Sequence, residues 1–329
     1  MNELVCYSKD AIVSRTKIRE GETKVGQKIE VLQDSTQLSE TSATYILVGI
    51  PEDIGVRANY GNAGTAEAWN EALNAFCNIQ VHPNIPVERI ALLGAINCTQ
   101  EMRSAEKNND MAHLGKLVKE IDIKVATIIE KVVAAGKIPI IIGGGHNNSF
   151  GNLKGASKAL KKPINCINFD AHTDFRALEH RHSGNGFRYA KNDGSLHKYF
   201  IFGVHRNYTS QPVFEALKAA SEHVRFSLFE DIAVTKNITF AKALEEASAF
   251  ISDTPFGIEL DMDAIANMGS SAMTPSGFSV EEARQFLNYF SANKNCTYIH
   301  ICEGTPSAAL FSNHVGKTIS YLISDVLSK

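Results

Sequence analysis

The sequence of 329 residues has few cysteines, no long apolar run and no excess of charge of either sign. None of its six cysteines stands in C-x-x-C spacing, which argues against a disulfide framework and against a thiolate zinc site. A formal net charge of -3, from 33 basic and 36 acidic residues without a large block of either, is unlike that of nucleic-acid-binding proteins. No apolar stretch approaches the roughly 18 residues that a membrane span needs. We therefore expect a globular cytoplasmic protein without nucleic-acid or membrane partners.

What the sequence does contain is an alternation of short apolar runs with amphipathic, helix-like segments. Several runs are apolar at successive positions, which is typical of parallel strands covered on both faces. The runs span residues 44–50, 89–96, 138–144, 164–169, 198–204, 256–262 and 297–302. The helical segments span residues 110–136, 209–221, 238–251, 279–293 and 309–328. This alternation predicts one three-layer α/β/α domain over 44–329, with a mainly parallel central sheet, and residues 1–43 as an N-terminal extension.

Acidic and histidine side chains stand at the ends of three of the apolar runs. Ligands of open parallel sheets bind outside the carboxyl ends of the strands, so chemistry is expected at these positions. A D-x-H-x-D motif begins at Asp170, a D-x-D motif begins at Asp261, and His146 follows a glycine triplet. Residues at alternate positions project to the same side of an extended chain. The candidate metal ligands are His146, Asp170, His172, Asp174, Asp261 and Asp263.

Four aspartates in an apolar surrounding cannot all stay ionised without cations, because repulsion and desolvation raise their pKa values. Two divalent cations would balance the four charges and could polarise a shared water. The donors are oxygen and nitrogen, and the two imidazoles favour Mn²⁺ over Mg²⁺. A single histidine after glycines is more often structural, and one D-x-H-x-D also arises by chance in loops. The three motifs together, each at a predicted strand end, favour a binuclear hydrolase with two manganese ions per subunit.

The segments that carry these ligands resemble the ureohydrolase superfamily, which includes arginase, agmatinase and formimidoylglutamase. The resemblance runs from about residue 44 to the C-terminus. It rests on GGGH at 143–146, FDAHTDFR at 169–176, LDMD at 260–263 and E-G-T-P at 303–306. It implies an arginase-like fold and hydrolysis of an amidine or guanidine C–N bond. The implied ligands are His146, Asp170, Asp174 and Asp261 for one manganese, and Asp170, His172, Asp261 and Asp263 for the other.

Within the superfamily, three features resemble formimidoylglutamase. A glycine instead of an aspartate precedes the histidine of GGGH, residues 52–59 are similar to the subfamily's D-x-G-V-R-x-N, and HSGNGFRYA at 182–190 resembles its substrate loop. The implied substrate, N-formimidoyl-L-glutamate, carries two carboxylates, and arginine is suited to bidentate carboxylate capture. The arginines expected to bind them are Arg57, Arg176 and Arg188. Arg188 could equally be a surface or ion-pair residue, a reading that suits Arg181 better still.

Further roles follow from the same resemblance. Glu303 would orient the substrate's C–N groups by charge-assisted hydrogen bonds, and Asp263 would steady the tetrahedral intermediate. His182 is the candidate proton shuttle, with His180 as an alternative. The remaining candidate substrate contacts are Asn59, Asn147, Ser183 and Asn185. Asn147 could instead cap the following helix. The resemblance also suggests a homo-oligomer.

Three other functions stay open on the sequence. An arginase, agmatinase or guanidinobutyrase would use the same metal site, although agmatine has no carboxylate for the arginines to bind. A non-catalytic, metal-binding regulatory homologue is a different class of protein. It would be expected to have lost ligands, and none is missing here. A binuclear phosphoesterase fits the ligand chemistry but not the family motifs.

Overall fold

A ten-stranded sheet forms the centre of the molecule, whose computed structural model describes residues 3–328. In chain order the strands are β1 (Leu4–Val5), β2 (Glu30–Val31), β3 (Tyr45–Gly49), β4 (Ile90–Ile96), β5 (Ile138–Ile142), β6 (Ile164–Phe169), β7 (Leu196–Val204), β8 (Val224–Leu228), β9 (Phe256–Asp261) and β10 (Cys296–Cys302). Their order across the sheet is β1-β4-β3-β5-β10-β9-β6-β7-β8, and β2 pairs with β4. Among the described residues, every strand pairing except β1 with β4 is parallel.

Helices connect the strands and cover the sheet. In chain order they are α1 (Lys9–Val13), α2 (Val25–Lys28), α3 (Ile54–Arg57), α4 (Ala68–Cys77), α5 (Thr99–Lys107), α6 (Met111–Ala134), α7 (Asn148–Leu160), α8 (Gly186–Asp193), α9 (Gln211–Ala219), α10 (Phe240–Ile251), α11 (Val280–Ser291) and α12 (His314–Leu327). No helix within residues 3–328 is long and apolar enough to cross a bilayer.

The sheet separates two apolar cores. In β3, Leu47 belongs to one buried cluster, whereas its neighbour Val48 belongs to the other, because successive side chains of a strand point to opposite faces. Residues of α4, α10, α11 and α12 complete the first cluster, and residues of α6, α7 and α8 complete the second. Both faces are therefore dry, which is why the strands are continuous apolar runs in the sequence. The predicted three-layer α/β/α fold with a mainly parallel sheet is confirmed.

Several elements were not predicted, and α7 shows why. Its sequence, NSFGNLKGASKAL, is polar and contains Gly151 and Gly155, which mask the helical pattern. Both glycines face α6: a Cβ atom at Gly151 would stand 2.7 Å from the Val125 side chain, and one at Gly155 would stand 2.5 Å from the Ala126 carbonyl oxygen. Close approach of the two helices thus excludes the apolar side chains by which a helix is usually recognised. The other unpredicted elements include the helices α4, α5 and α8 and the half-buried edge strand β8.

The first 43 residues were expected to form an extension outside the domain. Within the described residues, β1 and β2 both pair with β4, so this segment adds strands to the central sheet. Ile12 and Val25 are fully buried in the core that also holds α4. The boundary at residue 44 stays a prediction, but the segment packs as part of the same body.

The strand order brings the predicted ligands to one place. β5, β10, β9 and β6 are neighbours at the middle of the sheet, and they are parallel, so their carboxyl ends meet at one edge. His146 follows β5, Asp170 follows β6, Asp261 ends β9 and Glu303 follows β10. The site is therefore assembled from four separate parts of the chain.

Candidate active site

Four of the predicted ligands form one compact, buried group. Ligand atoms that all lie within 4.8 Å of one another come from His146, Asp170, Asp174 and Asp261. His146 Nδ1 lies 2.8 Å from Asp174 Oδ2 and 3.0 Å from Asp261 Oδ2. Asp170 Oδ2 lies 3.3 Å from the same nitrogen. Three carboxylates and one imidazole suit Mn²⁺, and this is the set that the resemblance assigns to one ion.

The second predicted set adjoins the first and shares Asp170 and Asp261 with it. His172 Nδ1 lies 3.5 Å from Asp170 Oδ1 and 3.8 Å from Asp263 Oδ2. Backbone amides fix the two shared carboxylates, because His172 N donates to Asp170 Oδ1 at 2.7 Å and Asp263 N donates to Asp261 Oδ1 at 2.7 Å. One oxygen of Asp170 thus faces His146 and the other faces His172.

The buried carboxylates of this group repel one another, which favours the binding of cations between them. Burial raises the pKa of Asp261 well above the usual carboxyl value, and the charges of Asp263 and Asp170 raise it further. Burial and the Asp170 charge likewise raise the pKa of Asp174. Burial lowers the pKa of His172, but the surrounding carboxylates outweigh it and raise that pKa well above the usual value. Because the carboxylates repel one another and the predicted donors are oxygen or nitrogen, the residues fit divalent cations.

A thiol also lies beside the group, although no sulfur ligand was predicted. Cys302 Sγ comes within 4.8 Å of ligand atoms of both His146 and Asp261. Burial raises the pKa of Cys302 well above the usual thiol value, and its Sγ donates to the Leu260 carbonyl oxygen at 3.7 Å. Burial disfavours the thiolate, which is the form that binds metals, so the oxygen and nitrogen donors are the favoured ligands here.

Beneath His146 lies a buried network that sequence reasoning missed. Glu259 Oε2 lies 3.5 Å from His146 Nε2 and 2.5 Å from His300 Nδ1, while Tyr298 Oη donates to Glu259 Oε1 at 2.8 Å. Burial raises the pKa of Glu259, but the charges of His300 and His146 outweigh it and lower that pKa to about 2. The Glu259 carboxylate thus lies on the Nε2 side of the ring without a hydrogen bond to it, while Nδ1 faces the ligand carboxylates. The available signal was a Glu and a His inside apolar strands, at paired register positions.

The ligand group opens into a cavity of about 480 Å³. Four of the predicted substrate contacts line it: Asn59, Arg176, Ser183 and Glu303. Arg176 Nη1 donates to Asn59 Oδ1 at 2.8 Å, and Asn59 Nδ2 donates to Ser183 Oγ at 3.2 Å. Arg176 is about half exposed, and its Nη2 also lies 3.1 Å from Glu179 Oε1. The cavity therefore contains both a group of metal ligands and a hydrogen-bonded wall that includes one arginine.

Glu303 is held in an unusual conformation. Its backbone is left-handed, with φ of 62°, and its Oε1 accepts a hydrogen bond from the His146 amide at 2.6 Å. Oε2 is buried and has no hydrogen-bond partner. Burial and the Asp263 charge raise the pKa of Glu303. A buried carboxylate oxygen without a partner, in a residue that lines the cavity, fits the predicted role of binding substrate N–H groups.

Two predicted arginines do not reach the cavity. Arg57 Nη2 donates to the Ala105 carbonyl oxygen at 2.6 Å, and its Nη1 lies 3.4 Å from Asp53 Oδ1. The guanidinium of Arg188 lies 4.9 Å from the centre of the Phe175 ring. The sequence could place these residues on loops or helices near the site, but not the direction of their long side chains. The predicted role in substrate binding does not match these positions.

Asn147, Asn185 and His182 also lie outside the cavity lining, in the loops behind it. Asn147 Nδ2 donates to buried Glu52, and Asn185 Nδ2 donates to the His180 carbonyl oxygen. Both ring nitrogens of His182 are engaged: Nδ1 accepts from the Gly184 amide at 3.1 Å, and Nε2 lies 2.9 Å from Glu179 Oε1. With both nitrogens bonded within the loop, His182 is not placed as the predicted proton shuttle.

The cavity also contains residues that no motif indicated. Tyr208 stacks on His172, with ring centres 5.1 Å apart, and donates from its hydroxyl to Thr274 Oγ1 at 3.2 Å. Ser271 lines the cavity, and the Ala272 amide donates to Asp263 Oδ1 at 3.0 Å. These residues lie in loops without a recognisable pattern, so only the three-dimensional arrangement reveals them.

The fold and the site together define a metal-dependent hydrolase of the α/β class. A sequence profile of the arginase family matches residues 43–326, which is most of the chain. The chain therefore belongs to the arginase family.

Curated relatives of the chain are named formimidoylglutamase. The chain is 28% identical over 291 residues to the protein of Geobacillus sp. (strain WCH70), covering 86% of this chain and 83% of that one. It is 29% identical over 283 residues to the protein of Macrococcus caseolyticus (strain JCSC5402), covering 85% and 83%.

Solved structures agree on the architecture. Trypanosoma cruzi formiminoglutamase, in a crystal structure with Mn²⁺, matches with a TM-score of 0.75 at 18% identity, over 94% of this chain and 99% of that one. Formimidoylglutamase from Bacillus subtilis subsp. subtilis str. 168 matches with a TM-score of 0.74 at 18% identity, over 95% and 93%. At such identity the likeness shows the fold, and it confirms the arginase-like prediction.

Proposed function

We propose that the chain is a formimidoylglutamase that hydrolyses N-formimidoyl-L-glutamate to L-glutamate and formamide, a reaction of histidine degradation. The proposal is carried by one juxtaposition: Arg176 lines the same cavity as the carboxylate and imidazole group. A cationic, forked side chain can bind a substrate carboxylate while the formimidoyl group reaches the metal ligands. The names of the curated relatives support the same substrate.

Two Mn²⁺ ions per chain would be held by the six predicted ligands, with Asp170 and Asp261 in both sets. Bound there, they would supply Lewis acidity that lowers the pKa of water. The overall reaction is balanced without an external proton: the formamidinium and water give formamide and the ammonium group of glutamate. The homo-oligomeric state and the cytoplasmic location expected from the sequence stay predictions.

The chain's own side chains bind and orient the substrate in this proposal. Glu303 Oε2 accepts hydrogen bonds from the formamidinium N–H groups, because it is buried and has no protein partner. Arg176, with Asn59 and Ser183 fixed beside it, holds a carboxylate of the glutamate portion. Asp263 steadies the tetrahedral intermediate by accepting hydrogen bonds from its N–H groups, including those of the amine that leaves.

An arginase is the second candidate, and one observation favours it. Only one of the three predicted arginines, Arg176, lines the cavity, since Arg57 and Arg188 lie elsewhere. One arginine suffices for the single carboxylate of an α-amino acid guanidine such as arginine. The two candidates differ in product, because one releases formamide and the other releases urea.

The test is a parallel assay of the Mn²⁺-loaded protein on N-formimidoyl-L-glutamate, arginine and agmatine, with formamide and urea measured separately. We expect formamide from the first substrate and no urea from the others. Arg176→Ala should raise KM for N-formimidoyl-L-glutamate by about tenfold or more, because a charge-assisted, bidentate contact is lost.

Arg103→Ala is the matched control, since Arg103 is an exposed arginine on α5. It should keep the wild-type KM. Release of urea from arginine without formamide release would establish the second candidate. An unchanged KM in Arg176→Ala would remove the assigned carboxylate contact.

A further inference from the structure

Arg181 is a fully buried arginine with every N–H donor in use. Its Nε and Nη2 donate to the two carboxylate oxygens of Asp122 at 2.9 and 3.0 Å. Nη1 donates to the His182 carbonyl oxygen at 3.1 Å and to Asn185 Oδ1 at 2.5 Å. The second Nη2 hydrogen bond goes to the Asn147 carbonyl oxygen at 2.8 Å. An arginine has five N–H donors, so none remains for a ligand.

The acceptors of Arg181 belong to three separate segments that meet at the site. Asp122 lies on α6, Asn147 directly follows His146, and residues 182–185 form the loop that carries Ser183 into the cavity. One guanidinium therefore connects the long helix α6 to the turn that carries His146 and to the loop 182–185, which we call the metal-ligand turn and the substrate-side loop.

Each of the two loops is hydrogen-bonded to residues that line the cavity. In the loop 182–185, the Gly184 carbonyl oxygen accepts from the Arg176 amide at 3.0 Å, and Ser183 Oγ accepts from Asn59 at 3.2 Å. In the turn after β5, His146 donates its amide to Glu303. A displacement of either loop would move groups that bind metal or substrate.

Stability alone does not account for this buried pair. Removing two charges from water is costly, and apolar residues of similar volume often replace a buried ion pair without loss of stability. The guanidinium is also packed between aromatic rings, lying 5.3 Å from the centre of Phe150 and 4.9 Å from that of Tyr189, so an apolar replacement would have suitable neighbours. What an apolar pair could not replace is the three hydrogen bonds to the two loops.

We propose that Arg181, anchored by Asp122, is a positioning residue that sets the metal-ligand turn and the substrate-side loop at a fixed distance from each other. It contacts neither substrate nor metal and acts through Asn147, His182 and Asn185. The effect on substrate binding rests on the proposed function, whereas the effect on metal binding does not.

The test compares D122L/R181M with the wild type by thermal unfolding, by Mn²⁺ titration of the metal-stripped protein with detection of free Mn²⁺, and by KM for N-formimidoyl-L-glutamate. The double variant removes both charges together and so leaves no unpaired buried charge. It should still unfold in one cooperative transition, at a melting temperature lowered by the three loop acceptors that lose their donor. Its dissociation constant for Mn²⁺ and its KM should each rise by about tenfold or more, as for other residues that orient metal ligands. Wild-type Mn²⁺ affinity and KM in a stable double variant would overturn the proposal.

Two further variants separate charge from geometry. Arg181→Lys keeps a positive charge for Asp122 but cannot span the same acceptors, so its Mn²⁺ affinity should also fall. The matched control is D325L/R284M, which removes a bidentate pair of the same chemistry between α12 and α11, with N–O distances of 2.7 and 2.9 Å. It should keep wild-type Mn²⁺ affinity and KM. If the wild type binds Mn²⁺ but releases no formamide, the proposed function fails while the metal titration still decides the role of Arg181.

Discussion

At the scale of single residues, His182 is a buried imidazole whose protonated form is disfavoured. Burial lowers its pKa to about 4 from 6.5, and the hydrogen bond to Glu179 only partly opposes this. The unfolded chain binds this proton more readily than the folded chain does. The contribution of His182 to stability is therefore fully present above about pH 6.5 and is lost as the pH falls from 6.5 toward 4.

We expect His182→Asn to flatten the pH dependence of the free energy of unfolding between pH 6.5 and 4.5. Asparagine has no titrating group there, and its Oδ1 can still accept from the Gly184 amide. The wild type should lose on the order of 2 kcal/mol over this interval relative to the variant, measured by urea unfolding at several pH values.

His82→Asn is the control, because exposed His82 accepts a hydrogen bond from the Asn84 amide in the same i to i+2 arrangement. Its pH dependence should follow that of the wild type. Parallel curves for the wild type and His182→Asn would contradict the assignment of the low pKa.

Site residues could be predicted from the sequence where a short motif stands at the end of a strand. They could not be predicted where the direction of a side chain or its packing decides its role. The ligands Asp170, His172 and Asp174 were predicted because D-x-H-x-D is local in sequence. In the structure, Asp170 and Asp174 belong to the compact ligand group, and His172 lies beside it. Glu259 was missed because a carboxylate inside an apolar strand is buried only through its partners on β10 and α7. Arg57 was assigned to substrate binding because no local pattern shows which way a flexible side chain turns.

At the scale of elements, α1 tests whether the N-terminal segment is part of the folding unit. Ile12 on α1 is fully buried in the core shared with α4, and Lys9 Nζ donates to the Ile29 carbonyl oxygen at 2.7 Å. Ile12→Ala should therefore lower the free energy of unfolding by about 2–5 kcal/mol, through lost burial and a residual cavity.

Ile18→Ala makes the same chemical change at a position that is 59% exposed in the same segment. It should cost less than about 0.5 kcal/mol, because surface changes rarely exceed this. Chemical denaturation of both variants provides the comparison. A cost below 1 kcal/mol for Ile12→Ala would mean that residues before 44 fold apart from the domain.

Strands were predicted correctly where both faces of the sheet are buried. A helix was missed where the backbones of two helices approach closely. The seven predicted strands all occur, because parallel strands buried on two faces are apolar at successive positions. The helix α7 escaped notice because its contacts with α6 require glycine where a recognisable helix would carry leucine or isoleucine.

At the scale of the whole molecule, the ligand group is built from segments that are far apart in sequence and meet only in the folded sheet. A cation that binds all of them binds the native state alone, and it therefore stabilises the fold. We expect Mn²⁺ at about 100 times its dissociation constant to stabilise the metal-stripped protein by about 2.7 kcal/mol, seen as a higher melting temperature.

Asp261→Ala should abolish this Mn²⁺-dependent shift together with activity, because Asp261 belongs to both predicted ligand sets. Asp10→Ala, at an exposed position on α1, should retain the full shift. A melting temperature of the wild type that does not respond to Mn²⁺, or full turnover by Asp261→Ala, would contradict the metal assignment.

The order of strands across the sheet could not be predicted, although the class of fold could. Alternation of strands and helices indicates a parallel sheet, but it does not indicate that β10 inserts between β5 and β9. That insertion places Glu303 beside His146, so the site depends on a topology that no local pattern encodes.

The left-handed backbone of Asp174 and Glu303, with φ of 45° and 62°, has a consequence for the evolutionary record of the family. A long side chain such as that of Glu303 carries a penalty of about 1–2 kcal/mol in this conformation, whereas aspartate tolerates it better and glycine avoids it. Replacement of these residues by glycine or asparagine would relieve backbone strain and so stabilise the fold. Only selection for the chemistry therefore keeps the two carboxylates at these positions. A descendant freed from that selection should drift at these two positions early, so their identity would date the loss of activity in a lineage.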